Sequence, residues 1–240
     1  MNTKNIYYEH DESSGTSIGV KYEKYLYHCQ SKFQNIEVIK THKYGNALYL
    51  DGCFMLSEIN QDYYHNMCLD LTPKKSKNIL IIGGGDYGIA SMLIRRNSDI
   101  KITIVEIDNK VVQVSKKYFP DHFKLTKKQL NNIKLIIEDG MIFIKNNHTK
   151  YDCIIIDSTD PIDQAKILFS KSFIKLCNKT LIKEGTIIQQ SGSPINDMKS
   201  LIEPLVKKYD DIGMKKIIIT SFPMPLYPTG TWCFISAKRA

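Results

Sequence analysis

From residue 78 onward, short runs of β-branched residues alternate with segments long enough to form helices. The runs are NILIIGGG, KITIVEID, IKLIIEDG, YDCIIID, GTIIQQ and KKIIITSF, and the segments between them include YGIASMLIRR, KVVQVSKKYF and LFSKSFIKLCNKTLIK. Continuous apolar strands joined by crossover helices are typical of a parallel sheet that is buried on both faces. The sequence therefore predicts a doubly wound α/β domain, whose ligands bind outside the carboxyl ends of the strands.

The first part of the chain shows a different pattern. Residues 25–58 contain the short apolar–polar alternations IEVIK, ALYL and CFML, which are separated by YGN at 44–46 and DG at 51–52. This alternation predicts a meander of antiparallel strands, and QDYYHNMCLDL at 61–71 has the apolar spacing of a helix. We therefore predict an N-terminal β-strand domain over residues 1–60 and a catalytic α/β domain over residues 61–240.

The net charge bears on the possible partners. The 240 residues carry a formal charge of +8, but the lysines are scattered and form no basic stripe interleaved with aromatic residues. A nucleic-acid partner is therefore not expected. No apolar run reaches about 18 residues, and the polar N-terminus MNTKNIYYEHDESSG is not a signal peptide. We expect a cytoplasmic protein without a membrane partner.

The six cysteines, at positions 29, 53, 68, 153, 177 and 233, lie far apart and include no CxxC pair. This spacing favours reduced thiols over a disulfide framework or a zinc site.

The first strand of the α/β part runs into a glycine-rich turn, ILIIGGGDYGIA at 79–90. Glycines let the main chain approach a nucleoside closely, although such a turn can serve strand–helix packing alone. Glu106 ends the next strand about 20 residues on, where a carboxylate accepts hydrogen bonds from ribose hydroxyls. A dinucleotide would fit as well, but Asp86 would repel its pyrophosphate. The turn therefore favours a ligand with positive charge.

Two further predicted strands end in acidic residues. In EDGMIF, Asp139 is placed to accept a hydrogen bond from an exocyclic amine, and Gly140 allows close approach. The alternative is that Asp139 only caps the next helix. In YDCIIIDSTDP, Asp157 and Asp160 follow an apolar strand, and Pro161 keeps the residue before it extended.

Asp86, Asp157 and Asp160 are expected to converge at one crevice. Clustered carboxylates repel one another and are costly unless a cation binds among them. A divalent metal and an organic polycation are both candidates, but no His or further Glu has metal-ligand spacing. The remaining alternative is a structural loop that caps a helix.

These motifs occur together in one known family. GGGDYG, VEID, EDG and YDCIIIDSTDP, with SKFQNIEV, YGNALYLDG, YYHNM and LYPTG, resemble the polyamine aminopropyltransferases, the spermidine synthase family. The resemblance extends over residues 22–238 and implies a small antiparallel β-domain before a Rossmann-like, class I methyltransferase-like domain, in a homodimer or homotetramer. It also implies transfer of an aminopropyl group from decarboxylated S-adenosylmethionine to a diamine, with putrescine to spermidine as the leading expectation and methylthioadenosine released.

The resemblance implies roles for individual residues. Asp157 would accept the proton, and Tyr64 would help to orient the attacking amine. The donor would be held by Gln34, Gly83, Asp86, Glu106, Asp139 and Gly140. The acceptor would be held by His65, Ser158, Asp160, Gln190 and Tyr227. No metal and no resident cofactor is implied, because decarboxylated S-adenosylmethionine is a co-substrate.

Several positions depart from the family pattern, and they leave substrate choice open. The departing residues are Met55, Asn60, Gln61, Asn66, Tyr87 and Gln164. Asp163 adds a negative charge that would suit a longer or more cationic acceptor. The alternative is that its side chain is simply exposed to solvent, as most Asp side chains are. One alternative function is an S-adenosylmethionine-dependent amine N-methyltransferase, and another is a non-catalytic polyamine-binding homologue.

Overall fold

The N-terminal part of the chain forms a five-stranded antiparallel sheet in the order β1-β2-β3-β4-β5. The computed structural model describes residues 5–11, 14–161 and 163–240, with only the main chain at residue 163. The strands are β1 (Ile6–Asp11), β2 (Thr16–Gln30), β3 (Asn35–Thr41), β4 (Asn46–Leu50) and β5 (Cys53–Ser57). The predicted meander is present, and β1 and the first half of β2 extend it toward the N-terminus.

The rest of the chain builds a seven-stranded sheet in the order β11-β12-β10-β9-β6-β7-β8. Its strands are β6 (Asn78–Gly83), β7 (Lys101–Glu106), β8 (Ile133–Ile137), β9 (Tyr151–Asp157), β10 (Leu181–Gln190), β11 (Lys215–Pro223) and β12 (Thr231–Lys238). Strands β6 to β10 pair in parallel, whereas β12 lies antiparallel between β10 and β11. The doubly wound, Rossmann-like fold is confirmed.

Helices connect these strands. They are α1 (Asp62–Leu71), α2 (Gly88–Arg96), α3 (Asn109–Tyr118), α4 (Lys127–Asn131), α5 (Gly140–Asn146), α6 (Lys171–Thr180) and α7 (Glu203–Asp211). Short 3-10 segments occupy Pro120–Phe123, Asp163–Phe169 and Pro228–Gly230, and a π-helical turn at Met198–Ile202 precedes α7. Within the described residues, no helix is long and apolar enough to cross a membrane.

The C-terminal strands differ from the sequence prediction. Strand β12 was not predicted, and it makes the sheet mixed rather than purely parallel. Strand β11 is not buried on both faces, since Ile218 and Ile219 are exposed at this edge of the sheet. Helix α6 ends at Thr180, and β10 begins at the next residue instead of at the predicted GTIIQQ. An apolar run such as KKIIITSF does not reveal by itself whether its strand is central or at an edge.

The central strands bury alternate residues in two apolar layers. Ile79 and Ile81 of β6 belong to the layer that also contains Tyr49 and Phe54 of the N-terminal sheet. Leu80 and Ile82 belong to the layer on the opposite face. Successive strand residues point to opposite faces, so a strand covered on both sides has a continuous apolar sequence. The shared layer fixes the N-terminal sheet against the larger one.

The predicted division of the chain between residues 60 and 61 stays a prediction. Residues of β1, β5 and α1 reach the same cavity as residues of the larger sheet, so the two parts form one site.

Gly83, at the end of β6, has no room for a side chain. Its φ is +87°, and a Cβ there would lie 2.0 Å from the main-chain oxygen of Asp157. The Gly84 N–H donates to that oxygen at 3.2 Å. Because Gly83 has no side chain, the ends of β6 and β9 can lie in direct contact.

Replacing Gly83 with Ala should destabilise the protein by about 3 kcal/mol or more. A residue with a side chain costs about 1–2 kcal/mol in the left-handed conformation, and displacing the main chain of Asp157 to make room for the Cβ adds to this cost. Gly213→Ala is the matched control, because Gly213 has a φ of +80° and open space, with no atom within 4 Å, where a Cβ would lie. Urea unfolding of both variants measures the difference, and equal losses would contradict the steric argument.

Candidate active site

Five parallel strands end in a row at one edge of the larger sheet. Strands β10, β9, β6 and β7 end at Gln190, Asp157, Gly83 and Glu106, and Asp139 follows the end of β8 by two residues. Because these strands run in parallel, their carboxyl ends share one edge. Functional groups from distant parts of the sequence therefore meet there.

A cavity of about 390 Å³ opens at this edge. All 13 residues to which the sequence analysis gave a role line it: Gln34, Tyr64, His65, Gly83, Asp86, Glu106, Asp139, Gly140, Asp157, Ser158, Asp160, Gln190 and Tyr227. The structure therefore brings the predicted residues together, while their individual roles stay predictions.

Acidic side chains dominate the cavity wall. Seven carboxylates line it: Glu9, Asp51, Asp86, Glu106, Asp139, Asp157 and Asp160. Among the described lining residues there is no Lys or Arg, although the whole chain carries a formal charge of +8. Such a cavity attracts cations and disfavours anions.

Asp157 and Tyr64, which both line the cavity, form a short hydrogen bond with each other. The Tyr64 hydroxyl donates to Oδ1 of Asp157 at 2.6 Å. Burial and the charge of Asp157 raise the pKa of Tyr64 far above its usual value, so the phenol keeps its proton. Burial and then the charge of Asp86 raise the pKa of Asp157 to about 6. Asp157 is therefore a desolvated carboxylate with an oriented donor beside it.

Glu106 is fixed by two main-chain N–H groups. Gly85 donates to its Oε2 at 3.1 Å, and Asp108 donates to its Oε1 at 2.9 Å. Burial raises the pKa of Glu106 to about 7 despite these bonds. The side-chain amide of Gln34 donates to Asp108 at 3.2 Å, so a residue of the connection between β2 and β3 is held beside Glu106.

Asp139 and Gly140 lie at the start of α5. One oxygen of Asp139 accepts from the Ile142 N–H at 2.9 Å. Asp139 therefore caps α5, as one of the two interpretations of the sequence predicted. The same side chain lines the cavity. Because a carboxylate has about four acceptor positions, capping leaves Asp139 able to accept from a ligand as well.

Asp86 lies in the glycine-rich turn. Its Oδ1 accepts from the Gly88 N–H at 2.8 Å, and its Oδ2 lies 3.8 Å from Nε2 of His65. Burial raises the pKa of Asp86, but the His65 imidazole, the charge of His122 and the Gly88 N–H together outweigh burial and lower that pKa below its ordinary value. Asp86 therefore ionises more readily than Asp157 and Asp160, whose pKa values are raised.

The loop after β9 carries Ser158 and Asp160. The Gln190 amide donates to the Ser158 carbonyl at 3.0 Å and to Oδ1 of Asp160 at 3.3 Å. Burial, followed by the charges of Asp197 and Asp11, raises the pKa of Asp160 to about 6. The loop is thus held by the end of β10 and presents a second desolvated carboxyl group.

Glu9 and Trp232 are two of the lining residues to which the sequence analysis gave no role. Glu9 reaches the cavity from β1, accepts from the Phe54 N–H at 3.1 Å, and has its pKa raised to about 7 by burial. Trp232, on the unpredicted β12, donates to Oε1 of Gln190 at 3.1 Å. The alternation in IYYEHD was an available signal for β1, but nothing local to the sequence places Glu9 beside Asp160.

Three of the residues that depart from the family pattern line the cavity, namely Met55, Gln61 and Gln164. Tyr87 adopts a left-handed φ of 65° before α2, and its ring centroid lies 4.6 Å from that of Phe123. The side chain of Asp163 lies outside the described residues. The departures therefore alter the cavity wall but spare Tyr64, Asp86, Asp157 and Asp160.

Comparison with known proteins agrees with this site. Residues 61–240 match a family model described as the spermine/spermidine synthase domain, and residues 6–58 match one described as the spermidine synthase tetramerisation domain. A polyamine aminopropyltransferase of Methanocaldococcus jannaschii is 36% identical over 238 residues, which cover 98% of this chain and 80% of that protein. One of Alkaliphilus metalliredigens is 34% identical over 251 residues, which cover 98% and 83%.

Solved structures show the same fold. A spermidine synthase in complex with the transition state analogue AdoDATO superposes with a TM-score of 0.90 at 25% identity and covers 100% of this chain and 82% of that one. Spermidine synthase from Thermotoga maritima gives a TM-score of 0.83 at 24% identity, with coverage of 100% and 80%. Fold and site together define a Rossmann-like transferase.

The chain belongs to the spermine/spermidine synthase family, and it is an enzyme of the aminopropyltransferase class. The resemblance inferred from the sequence motifs is confirmed.

Replacing Asp160 with Asn should stabilise the ligand-free protein at pH 8 and have little effect at pH 4. The pKa of Asp160 is raised in the folded state, so its contribution to the free energy of unfolding is lost as the pH rises from 3.8 to about 6. Removing the charge should then regain up to about 3 kcal/mol at pH 8. Urea unfolding at both pH values tests this expectation.

Asp99→Asn is the control, because Asp99 is exposed and pairs with Lys128 at 2.7 Å. That variant should not be stabilised at pH 8. The desolvation argument would be wrong if Asp160→Asn had the same stability as the wild type at pH 8.

Proposed function

We propose that this enzyme transfers an aminopropyl group from decarboxylated S-adenosylmethionine to putrescine, forming spermidine and methylthioadenosine. The observation that carries the proposal is the short Tyr64–Asp157 hydrogen bond inside a cavity lined by seven carboxylates. Both substrates are cations, so each gains from an acidic cavity that an anionic substrate would avoid.

The nucleoside of the donor would occupy the side of the cavity formed by β7 and β8. Glu106 would accept from the ribose hydroxyls, and Gln34 lies beside it through Asp108. Asp139 would accept from the adenine amine, with Gly140 allowing the ring to approach. Asp86, at the end of β6, would bind the ammonium of the aminopropyl group.

The reaction is a substitution at carbon. The lone pair of the acceptor nitrogen attacks the methylene next to the sulfonium, the C–S bond breaks, and its electron pair stays on sulfur as a neutral thioether. The nitrogen then loses one proton. Since the leaving group is already good, most of the catalytic effect would come from aligning the amine with the carbon.

Asp157 would receive the proton during bond formation and not before it. Moving a proton from a free alkylammonium to an ordinary Asp is uphill by about 9 kcal/mol. The raised pKa of Asp157, about 6, reduces this difference. The new N–C bond acidifies the nitrogen further, so Asp157 would bind a neutral terminus that Tyr64 helps to orient.

The far end of the acceptor would lie near Asp160 and Glu9. The charge of Asp160 contributes to the raised pKa of Glu9, so the two carboxyl groups are close enough to interact. One cationic amine between them would relieve that repulsion. His65, Ser158, Gln190 and Tyr227 would form the wall beside the chain of the acceptor.

The acidic wall also separates this function from its alternatives. Intact S-adenosylmethionine has a carboxylate that Asp86 would repel, which argues against an N-methyltransferase. An inactive homologue would have no need for the aligned Tyr64–Asp157 pair.

The match of residues 6–58 to a tetramerisation domain supports assembly as a homodimer or homotetramer, which we include in the proposal. A cytoplasmic location is part of the same proposal.

An assay with two donors tests the function directly. The purified protein is incubated with decarboxylated or intact S-adenosylmethionine and a panel of diamines, and the products are identified by mass. We expect methylthioadenosine and spermidine from the decarboxylated donor and putrescine. A methylated amine would support the N-methyltransferase instead, and ligand binding without turnover would support the inactive homologue.

Asp157→Asn should lower turnover by at least about 100-fold, the lower range for loss of a general base. The amide can still accept from Tyr64, so the fold should survive, as a melting curve would show. Asp99→Asn is the control with normal activity. Turnover near the wild-type rate in Asp157→Asn would remove Asp157 from its proposed role.

A further inference from the structure

His122 touches the turn that carries Asp86, yet neither the sequence motifs nor the proposed reaction assign it a role. It belongs to the 3-10 segment Pro120–Phe123, which follows α3, and only 5% of its surface is exposed. Its Nδ1 lies 2.9 Å from the main-chain oxygen of Asp86. A buried polar ring in this position connects a surface segment to the cavity wall.

The chemistry of this contact determines where the proton lies. A carbonyl oxygen can only accept, so Nδ1 of His122 must carry the hydrogen. Burial lowers the pKa of His122, which favours the neutral ring. The charge of Asp86 opposes burial by raising the pKa of His122, but Nδ1 donates to the carbonyl in the neutral ring and in the charged ring alike.

The 3-10 segment is itself fixed to helix α2. The Phe123 ring packs against Tyr87, and Arg95 donates to the carbonyl of Asp121. The ring centroid of His122 lies 5.4 Å from that of His65, whose Nε2 faces the Asp86 carboxylate. His122 is therefore supported on both sides and cannot turn away from Asp86 without disturbing its neighbours.

We propose that His122 is a positioning residue for the donor: by holding the Asp86 carbonyl, it aims the Asp86 carboxylate at the ammonium of the aminopropyl group. Asp86 precedes Tyr87, which has a left-handed φ of 65°, so the peptide between them lies in a strained turn. Loss of the His122 contact would free the main chain at Asp86 to shift, and the carboxylate attached to it would shift as well. This inference rests on the proposed function, since it requires a donor with such an ammonium.

Two ligands distinguish positioning from general support of the fold. Decarboxylated S-adenosylmethionine carries the aminopropyl ammonium, whereas methylthioadenosine has the same nucleoside without it. Loss of general support for the fold would weaken the binding of both ligands. Misplacement of Asp86 would weaken only the binding of decarboxylated S-adenosylmethionine. The dissociation constants of both ligands, measured by calorimetry, give the ratio that tests the proposal.

The variants are His122→Leu, which removes the N–H donor, and His122→Asn, whose amide nitrogen can occupy the place of Nδ1. In His122→Leu we expect binding of decarboxylated S-adenosylmethionine to weaken about tenfold, the effect of about one lost hydrogen bond. Binding of methylthioadenosine should change less than about twofold by the same argument. His122→Asn should restore donor binding to within about twofold of the wild type. His122→Phe replaces the Leu variant if that one does not fold.

The inference would be overturned if His122→Leu weakened the binding of both ligands equally, or if His122→Leu and His122→Phe left donor binding unchanged. In either case, aminopropyl transfer by the wild type would still support the proposed function. Failure of His122→Asn to restore donor binding would overturn it too. Absence of aminopropyl transfer by the wild type would overturn both proposals, so the two failures are distinguishable.

Discussion

Burial of carboxyl groups in a cavity whose described lining includes no Lys or Arg is the constraint on which this structure depends. Desolvation raises the pKa of Glu9, Glu106, Asp157 and Asp160, because water is removed from each carboxyl group. Such a cavity is unfavourable when it is empty and becomes favourable when cations enter it. In the proposed function, the burial that destabilises these carboxylates in the empty cavity would also favour cationic substrates over anionic ones.

The fold places these carboxylates at one edge by two devices. Parallel pairing puts the ends of five strands in a row, and the glycine at position 83 lets β6 and β9 meet without a side chain between them. The apolar layer shared by the two sheets then holds α1 in place, so Tyr64 reaches Asp157 from 93 residues away. Packing thus sets the geometry of the Tyr64–Asp157 pair, on which the proposed proton transfer depends.

Much of the site could be predicted because its residues follow apolar strands directly. Glu106, Asp139 and Asp157 each come within two residues of a strand end, and parallel strands bring such positions together. Glu9 could not be predicted in this way, since β1 lies outside the strand–helix alternation and Glu9 reaches the cavity where β1 packs against β5. Trp232 was missed because β12 runs antiparallel and lies outside the strand–helix alternation.

The sequence by itself determined the fold class, the strand ends and the acidic character of the cavity, because hydrophobic periodicity and the residues after each strand are local properties. It also carried the motifs that identify the family. Only the tertiary structure decided which carboxyl groups are desolvated, which polar atoms meet, and that His122 reaches the Asp86 turn. Those properties depend on long-range packing, since burial and hydrogen bonding between distant segments are set by the whole folded chain.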